Sequence, residues 1–207
     1  GIVDNGTSVG GGKNPYIIDA DSKDNYPLLY PLMSLKNYTI LKQGWNLISI
    51  PSIQNNTSLS SVLQPLQGEY DAVQWYNSTD LTKPWKQYHI SKPSQFNDLN
   101  EVNHKIGFWV HITNPDGTIF RYEGFKPTKN QTITLYPGWN LVGYPSLVNK
   151  NRTGALNNLN FSEDVNSIWT FNAVMQKWEE IGELDYFEIG KGYWIHALHE
   201  IIWDVPL

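Results

Sequence analysis

The 207-residue sequence predicts a mainly β protein, built as two tandem copies of one β-rich module with one short helix each, and three observations predict it. First, Gly44-Trp45-Asn46-Leu47-Ile48-Ser49-Ile50-Pro51-Ser52 returns as Gly138-Trp139-Asn140-Leu141-Val142-Gly143-Tyr144-Pro145-Ser146. Likewise Gly107-Phe108-Trp109-Val110-His111-Ile112 returns as Gly192-Tyr193-Trp194-Ile195-His196-Ala197. The offsets are 138 − 44 = 94 and 192 − 107 = 85, so the copies differ only by short insertions. Self-similarity of this size marks one supersecondary unit used twice. Second, the repeated blocks are β-branched and aromatic runs that stop at proline, glycine or asparagine, as strands do. Third, eight of the nine tryptophans fall into pairs between copies: Trp45 with Trp139, Trp75 with Trp169, Trp85 with Trp178, Trp109 with Trp194.

Residues 1–36 read as a separate tail, 37–126 as the first module and 127–207 as the second. In the first module, Thr39 to Pro51, Tyr70 to Asn77 and Ile106 to Thr113 have strand composition. Between the first two, Leu59, Val62, Leu63 and Leu66 recur at i, i+3, i+4, i+7, a one-face helical stripe with Thr57 or Ser58 as N-cap. Pro65 limits that helix to two or three turns. In the second copy, Ala155, Leu156 and Leu159 form a weaker version, and Ser167 to Asn172 and Lys191 to Leu198 are its strands. Asn114-Pro115-Asp116-Gly117 is a strong turn signal and predicts a hairpin from Trp109 to Tyr122. Trp203 parallels Phe120, giving each copy a last strand. Each module is expected to be a small antiparallel barrel or sandwich, and the short linker suits packing about an internal pseudo-twofold.

Charged residues make up 17% of the chain and the net charge is -5, with the basic residues scattered singly. That gives no footprint for a nucleic-acid backbone or an anionic membrane surface. No run of 18 apolar residues occurs, so no segment reads as a spanning helix. The absence of cysteine excludes disulfides, thiolate nucleophiles and Cys-ligated zinc. Asn-x-Ser/Thr acceptors for N-glycosylation start at Asn5, Asn37, Asn55, Asn56, Asn77, Asn130, Asn151 and Asn160. The content of Asn, Ser and Thr predicts about three by chance, so eight favours an exported, glycosylated surface. The chain starts at Gly1 and shows no signal peptide, so it reads as a fragment of a longer exported protein.

The tail contains Asn14-Pro15-Tyr16-Ile17-Ile18-Asp19-Ala20-Asp21-Ser22-Lys23-Asp24-Asn25-Tyr26-Pro27-Leu28. This string resembles the closing segment of right-handed parallel β-helix domains of the periplasmic copper-binding type. The resemblance implies a β-helix upstream of residue 1; copper is not implied, because the first histidine of the chain is His89. The tail is expected to pack on the first module through Tyr26, Leu28 and Leu29. From about Tyr38 to Asp204 the chain resembles the tandem Gly-Trp-Asn-Leu…Gly-Tyr-Trp-Ile modules of archaeal and bacterial cell-surface proteins. The first copy departs from the pattern with Phe108 in place of tyrosine. The resemblance implies an extracellular role with no assigned catalysis.

A fold used twice must repeat its core, so most paired tryptophans are expected to be structural, Trp45 and Trp139 above all. Trp85 and Trp178 follow polar stretches and are the expected exposed pair; with Tyr88 they are the candidate ligand contacts. Asp19, Asp21 and Asp24 cluster oxygen ligands suited to Ca²⁺, although the loop lacks the glycine and terminal glutamate of an EF-hand. A structural Ca²⁺ is the only cofactor the sequence offers. His196 and His199 sit at a spacing that points to opposite faces of a strand, and His111 with His196 reads as a repeated structural histidine bonded to backbone. Glu179, Glu180, Glu183, Asp185 and Glu188 form an acidic stretch, and paired carboxylates are glycosidase chemistry. No nucleophile elbow, P-loop or dinucleotide fingerprint occurs.

Together these features point first to a non-catalytic structural or adhesion module at the cell surface, with other surface proteins, a second copy or glycans as partners. The alternatives are a carbohydrate-binding module using exposed aromatics and, more weakly, a glycan-active enzyme.

Overall fold

The computed structural model describes residues 34–207 and is mainly β. Asp19, Asp21 and Asp24, the contacts expected of Tyr26, Leu28 and Leu29, Asn5, and the side chain of Asn37 lie outside the described residues. Both modules belong to one compact unit, Leu32–Leu207.

The first module runs β1 (Ser34–Leu41), β2 (Gly44–Ile48), α1 (Leu59–Val62), β3 (Tyr70–Tyr76), β4 (Trp85–His89), β5 (Phe108–Ile112) and β6 (Thr118–Phe125). The second runs β7 (Gln131–Leu135), β8 (Gly138–Gly143), β9 (Lys150–Asn151), α2 (Arg152–Leu156), β10 (Val165–Asn172), β11 (Lys177–Glu180), β12 (Tyr186–Phe187), β13 (Gly192–Ala197) and β14 (Ile201–Val205). In each, four antiparallel strands form a sheet, β2-β5-β3-β4 and β8-β13-β10-β11. The first and last strands form a separate ribbon, β1-β6 and β7-β14, while β9 and β12 make a small extra ladder.

Two sequence expectations change here. Thr39 to Pro51 is not one strand but two, because the chain turns at Lys42-Gln43-Gly44 and passes from ribbon to sheet. Asn114 to Gly117 does form a turn, with the Gly117 N–H donating to the Asn114 carbonyl at 3.0 Å. It joins no hairpin, however: β5 pairs with β2 and β3, and β6 with β1. The ribbon's partner strand comes from the other end of the module, so the turn carries the chain between layers.

One face of each sheet packs on its own ribbon and helix, giving a sandwich. In the first module Ile48, Phe108, Val110 and Ile112 meet Leu41, Phe120 and, from α1, Leu59 and Val62. In the second, Val142, Tyr193 and Ile195 meet Leu135, Trp203 and the α2 residues. Trp203 is fully buried where the first copy has Phe120, and its Nε1 donates to the Ala155 carbonyl at 2.9 Å. Burial of an aromatic this size with its polar atom satisfied contributes several kcal/mol, and truncation typically costs about 3–5 kcal/mol.

The repeated Gly-Trp-Asn has a separate job for each residue. Gly44 and Gly138 turn the chain with φ of 89° and 94°, a region that disfavours any side chain. Asn46 and Asn140 are buried, and each amide ties the turn together. Asn46 Nδ2 donates to the carbonyls of Lys42 (2.8 Å) and Gly44 (2.9 Å), while Lys42 N–H donates to Asn46 Oδ1 (2.9 Å). Asn140 makes the same three bonds with Tyr136 and Gly138.

The opposite faces of the two sheets meet each other. Leu47, Trp109 and Leu141 form a third buried cluster, separate from the two module cores. The docking is reciprocal: Ser49 N–H donates to the Gly190 carbonyl at 2.8 Å, and Gly143 N–H donates to the Lys105 carbonyl at 2.9 Å. These pairs occupy equivalent positions, as do the isolated bridges Ile48 to Lys191 and Ile106 to Val142. The modules therefore pack about a pseudo-twofold. Close approach requires Gly107 and Gly192, where an added Cβ would strike the backbone carbonyl of Val142 and of Ile48, respectively.

Candidate functional site

Strand alternation puts Trp45, Leu47, Trp109, Gln74, Tyr76 and Trp85 on the docking face of the first sheet. Their equivalents on the second are Trp139, Leu141, Trp194, Trp169, Phe171 and Trp178. Register corrects one expected pairing. Trp109 opposes Gln74 and Trp194 opposes Trp169, so Trp169 matches Gln74, while Trp75 matches Thr170 on the other face. The adjacent tryptophans mimic each other in sequence because the offset there is one residue larger.

Each module lays the aromatic pair of a hairpin against its neighbour. Trp109 lies 5.0 Å from Phe171 and 5.4 Å from Trp178 between ring centroids. Trp194 lies 5.1 Å from Tyr76 and 5.8 Å from Trp85. All but the tilted Tyr76 contact are edge-on, the favoured arrangement for ring quadrupoles.

Beyond these contacts the sheets part, leaving two open clefts. The larger, about 440 Å³, is lined by Trp139, Trp169, Trp178 and Trp194. The other, about 260 Å³, is lined by Trp45, Gln74, Trp85, Trp109, Phe171 and Trp178. No ionisable side chain lines either. A larger cavity of about 630 Å³ lies elsewhere, between α1 and β6, and is lined in part by Asn55 and Asn56.

Trp45 and Trp139 are not the core residues that the sequence suggested. Each opens a strand at the edge of its sheet, and the neighbouring module covers that face only further along, at Leu47 and Leu141. Trp139 remains 40% exposed. Trp45 is half-buried, because the Gln176 side chain donates to its carbonyl at 3.0 Å and accepts from its N–H at 3.3 Å. Beneath these rings lie His111, 5.0 Å from Trp45, and His196, 5.0 Å from Trp139. Both histidines are structural, but their partners are side chains at a strand bulge rather than backbone. His111 Nδ1 donates to Asp71 Oδ1 at 2.7 Å, and His196 Nδ1 bonds Asn166 Oδ1 at 2.9 Å.

Trp178 and Trp85 are 50% and 44% exposed, and both line a cleft. The structure does not bring Tyr88 to them: three residues along β4 it faces the other way, against the first module's core. The loop before Trp85 is pinned by Asp80, which accepts from Lys86 Nζ (2.6 Å), Thr82 Oγ1 (2.9 Å) and Lys83 N–H (3.0 Å). The Lys86 bond first, then the others, holds the Asp80 carboxyl well below the usual range. At Asp98 burial opposes ionisation, but Lys83 and the Gln87 N–H outweigh it and the pKa is lowered.

The other candidates lie apart from these two clefts. Glu179, Glu180, Asp185 and Glu188 line a separate cavity of about 460 Å³ together with Tyr186 and Lys191. There Glu179 accepts from Asn172 Nδ2 at 2.7 Å and Glu188 pairs with Lys191 at 2.7 Å. His199 pairs with Asp164 at 3.1 Å, away from the partner of His196. Among the described residues no group of three His, Asp or Glu is placed to share a metal ion, and no helix is long and apolar enough to cross a membrane. Of the glycosylation acceptors, Asn55, Asn56, Asn130, Asn151 and Asn160 are exposed and Asn77 is half-buried. Asn151 also caps α2 through a bond from Gly154 N–H.

Sequence reasoning missed Trp139, Trp169 and Trp194 as one site. The available signal was Trp169 itself: once strand register replaces simple alignment, it is a tryptophan present in one copy only, as a site would have and a core would not. No family model, curated protein or solved structure matches this chain.

Proposed function

We propose that this chain is a non-catalytic adhesion module of an exported, cell-surface protein, and that it holds a neutral glycan in the cleft of Trp139, Trp169, Trp178 and Trp194. The observation that carries the reading is an open cleft of about 440 Å³ walled by four indoles with no charged group in its lining. Water leaves such a surface readily, and clustered exposed aromatics mark an interaction site. A pyranose ring presents a flat C–H face that matches an indole face, while its rim hydroxyls stay in water. Ligand sites of this kind bury most of the ligand against aromatic side chains and fix it with few polar groups. The expected dissociation constant is about 1 μM to 1 mM, or roughly −8 to −4 kcal/mol.

The exposed acceptors Asn55, Asn56, Asn130, Asn151 and Asn160 support an exported surface. A hydrolytic reading of this cleft would need two carboxylates facing each other across it, about 5–10 Å apart. Among the described residues its lining holds none; Glu179, Glu180, Asp185 and Glu188 line a separate cavity instead.

The test is tryptophan fluorescence and calorimetry with a panel of neutral polysaccharides, with and without Ca²⁺. Binding that quenches fluorescence and disappears in Trp139→Ala supports the reading. Silence across the panel refutes it and redirects attention to protein partners and self-assembly.

A further inference from the structure

We infer that the glycan is an extended chain rather than a glycan tip, and that it runs through both clefts across the pseudo-twofold; this rests on the glycan reading above. Position by position, Trp45, Gln74, Trp85 and Trp109 repeat Trp139, Trp169, Trp178 and Trp194. The first cleft is therefore a second copy of the site. The two clefts adjoin, since Trp178 lines both and Trp85 of one lies 5.8 Å from Trp194 of the other. The join is held by Gln176, which ties the β10–β11 hairpin carrying Trp178 to the backbone of Trp45.

Symmetry adds a further constraint. A polysaccharide has two different ends, so clefts related by a twofold meet it in opposite senses and cannot both fit it if they are identical. Among the four positions that correspond they differ at one, Trp169 against Gln74, and the first cleft is also walled by Phe171 and Trp178 of the other module. Trp169 offers a stacking face and its Nε1 is already bonded to Ser167 Oγ at 2.8 Å. Gln74 instead offers an amide, able to bond a hydroxyl of the reversed sugar. The second cleft is thus the stacking anchor and the first the polar extension. Two linked contacts on one chain raise affinity without new chemistry at either, provided the chain spans both.

The experiment is calorimetry with cello-, manno- and chito-oligosaccharides from the disaccharide to the decasaccharide, on the wild type, Trp45→Ala, Trp139→Ala and Gln74→Trp. Trp45 and Trp139 lie at the rim, and near-UV circular dichroism of each variant verifies its fold. The expected result is one long chain per protein, bound about tenfold or more tighter than the shortest ligand that binds. Trp45→Ala abolishes the gain from length and leaves short ligands unaffected, whereas Trp139→Ala loses short ligands too. Gln74→Trp creates a second site for short ligands. Affinity independent of length, or long-chain affinity unchanged in Trp45→Ala, overturns this inference while leaving the single-cleft reading intact. No binding in any series, together with silence of the polysaccharide panel, overturns both.

Discussion

Trp178 of the second module stands edge-on to Trp109 of the first, ring centroids 5.4 Å apart and planes at 80°. Trp178 is half exposed to solvent while Trp109 is buried, so a single ring contact joins a surface available to ligand with the interior of the module interface.

Trp178→Ala removes edge contacts with both Trp109 and Phe171. Each such pair contributes about 0.5–1.5 kcal/mol beyond area burial, so the variant should lose about 1–3 kcal/mol in urea unfolding. Trp139→Ala, at the rim, should cost less, since its partners Trp194 and His196 remain covered by other residues. Equal losses would mean that Trp178 does not clamp the modules.

Gly107→Ala or Gly192→Ala drives a methyl into a backbone carbonyl of the other module. Backbone cannot step aside as a side-chain tip can, so each should cost about 1–3 kcal/mol or more. Thermal unfolding should show the loss, with faster amide exchange at Ser49 and Gly143 reporting that docking, rather than either module core, has loosened.

Asn46→Ala or Asn140→Ala removes three hydrogen bonds that tie a part-exposed turn to a buried side chain. Each is worth about 0.5–1.5 kcal/mol net, which puts the total at about 1–4 kcal/mol. Asp at either position keeps an acceptor but loses the two amide donations, and should rescue only part of the loss in the same unfolding measurement.

Acid should destabilise the fold in two stages. Burial first, with Lys105 adding and the Gln131 bond opposing, lowers the pKa of His104 below its ordinary 6.5. The unfolded chain then takes up a proton more readily than the folded one, so stability is complete above about pH 6.5 and falls as pH drops through the lowered folded value. His104→Gln should flatten that stage in a pH series of urea melts. Asp80 and Asp98, both lowered, contribute stability that is present above their ordinary value of 3.8 and is lost as pH falls further.

The sequence revealed the repeat because a fold used twice must reuse its turns and core, and Gly44, Asn46 and Phe120 have direct counterparts in Gly138, Asn140 and Trp203. It concealed what depends on pairing between strands. Asn114 to Gly117 has hairpin chemistry, yet its flanking strands belong to different layers, and nothing local says so. Trp75 and Trp169 align in sequence but face opposite ways, because face is set by register to β5 and β13. Trp45 and Trp139 looked like core from their neighbours Leu47 and Leu141. Their exposure follows from how far the other module reaches along the strand, a distance fixed by Gly107 and Gly192 in a different part of the chain. Exposure of Trp85 and Trp178 was readable from the polar residues before them; the site they join was not.

The paired bonds from Ser49 to Gly190 and from Gly143 to Lys105 form an isologous contact, the kind by which two identical subunits make a dimer. Here the two subunits are covalently fused. In a dimer every substitution is felt twice, once in each subunit, and the two surfaces must change together. Fusion removes that coupling, so one copy can change its surface while the other keeps its own. The copies differ in this way at Ser49 and Gly143, Asp71 and Asn166, and Gln74 and Trp169. A twofold held inside one chain is thereby a frame in which one half can specialise without its twin.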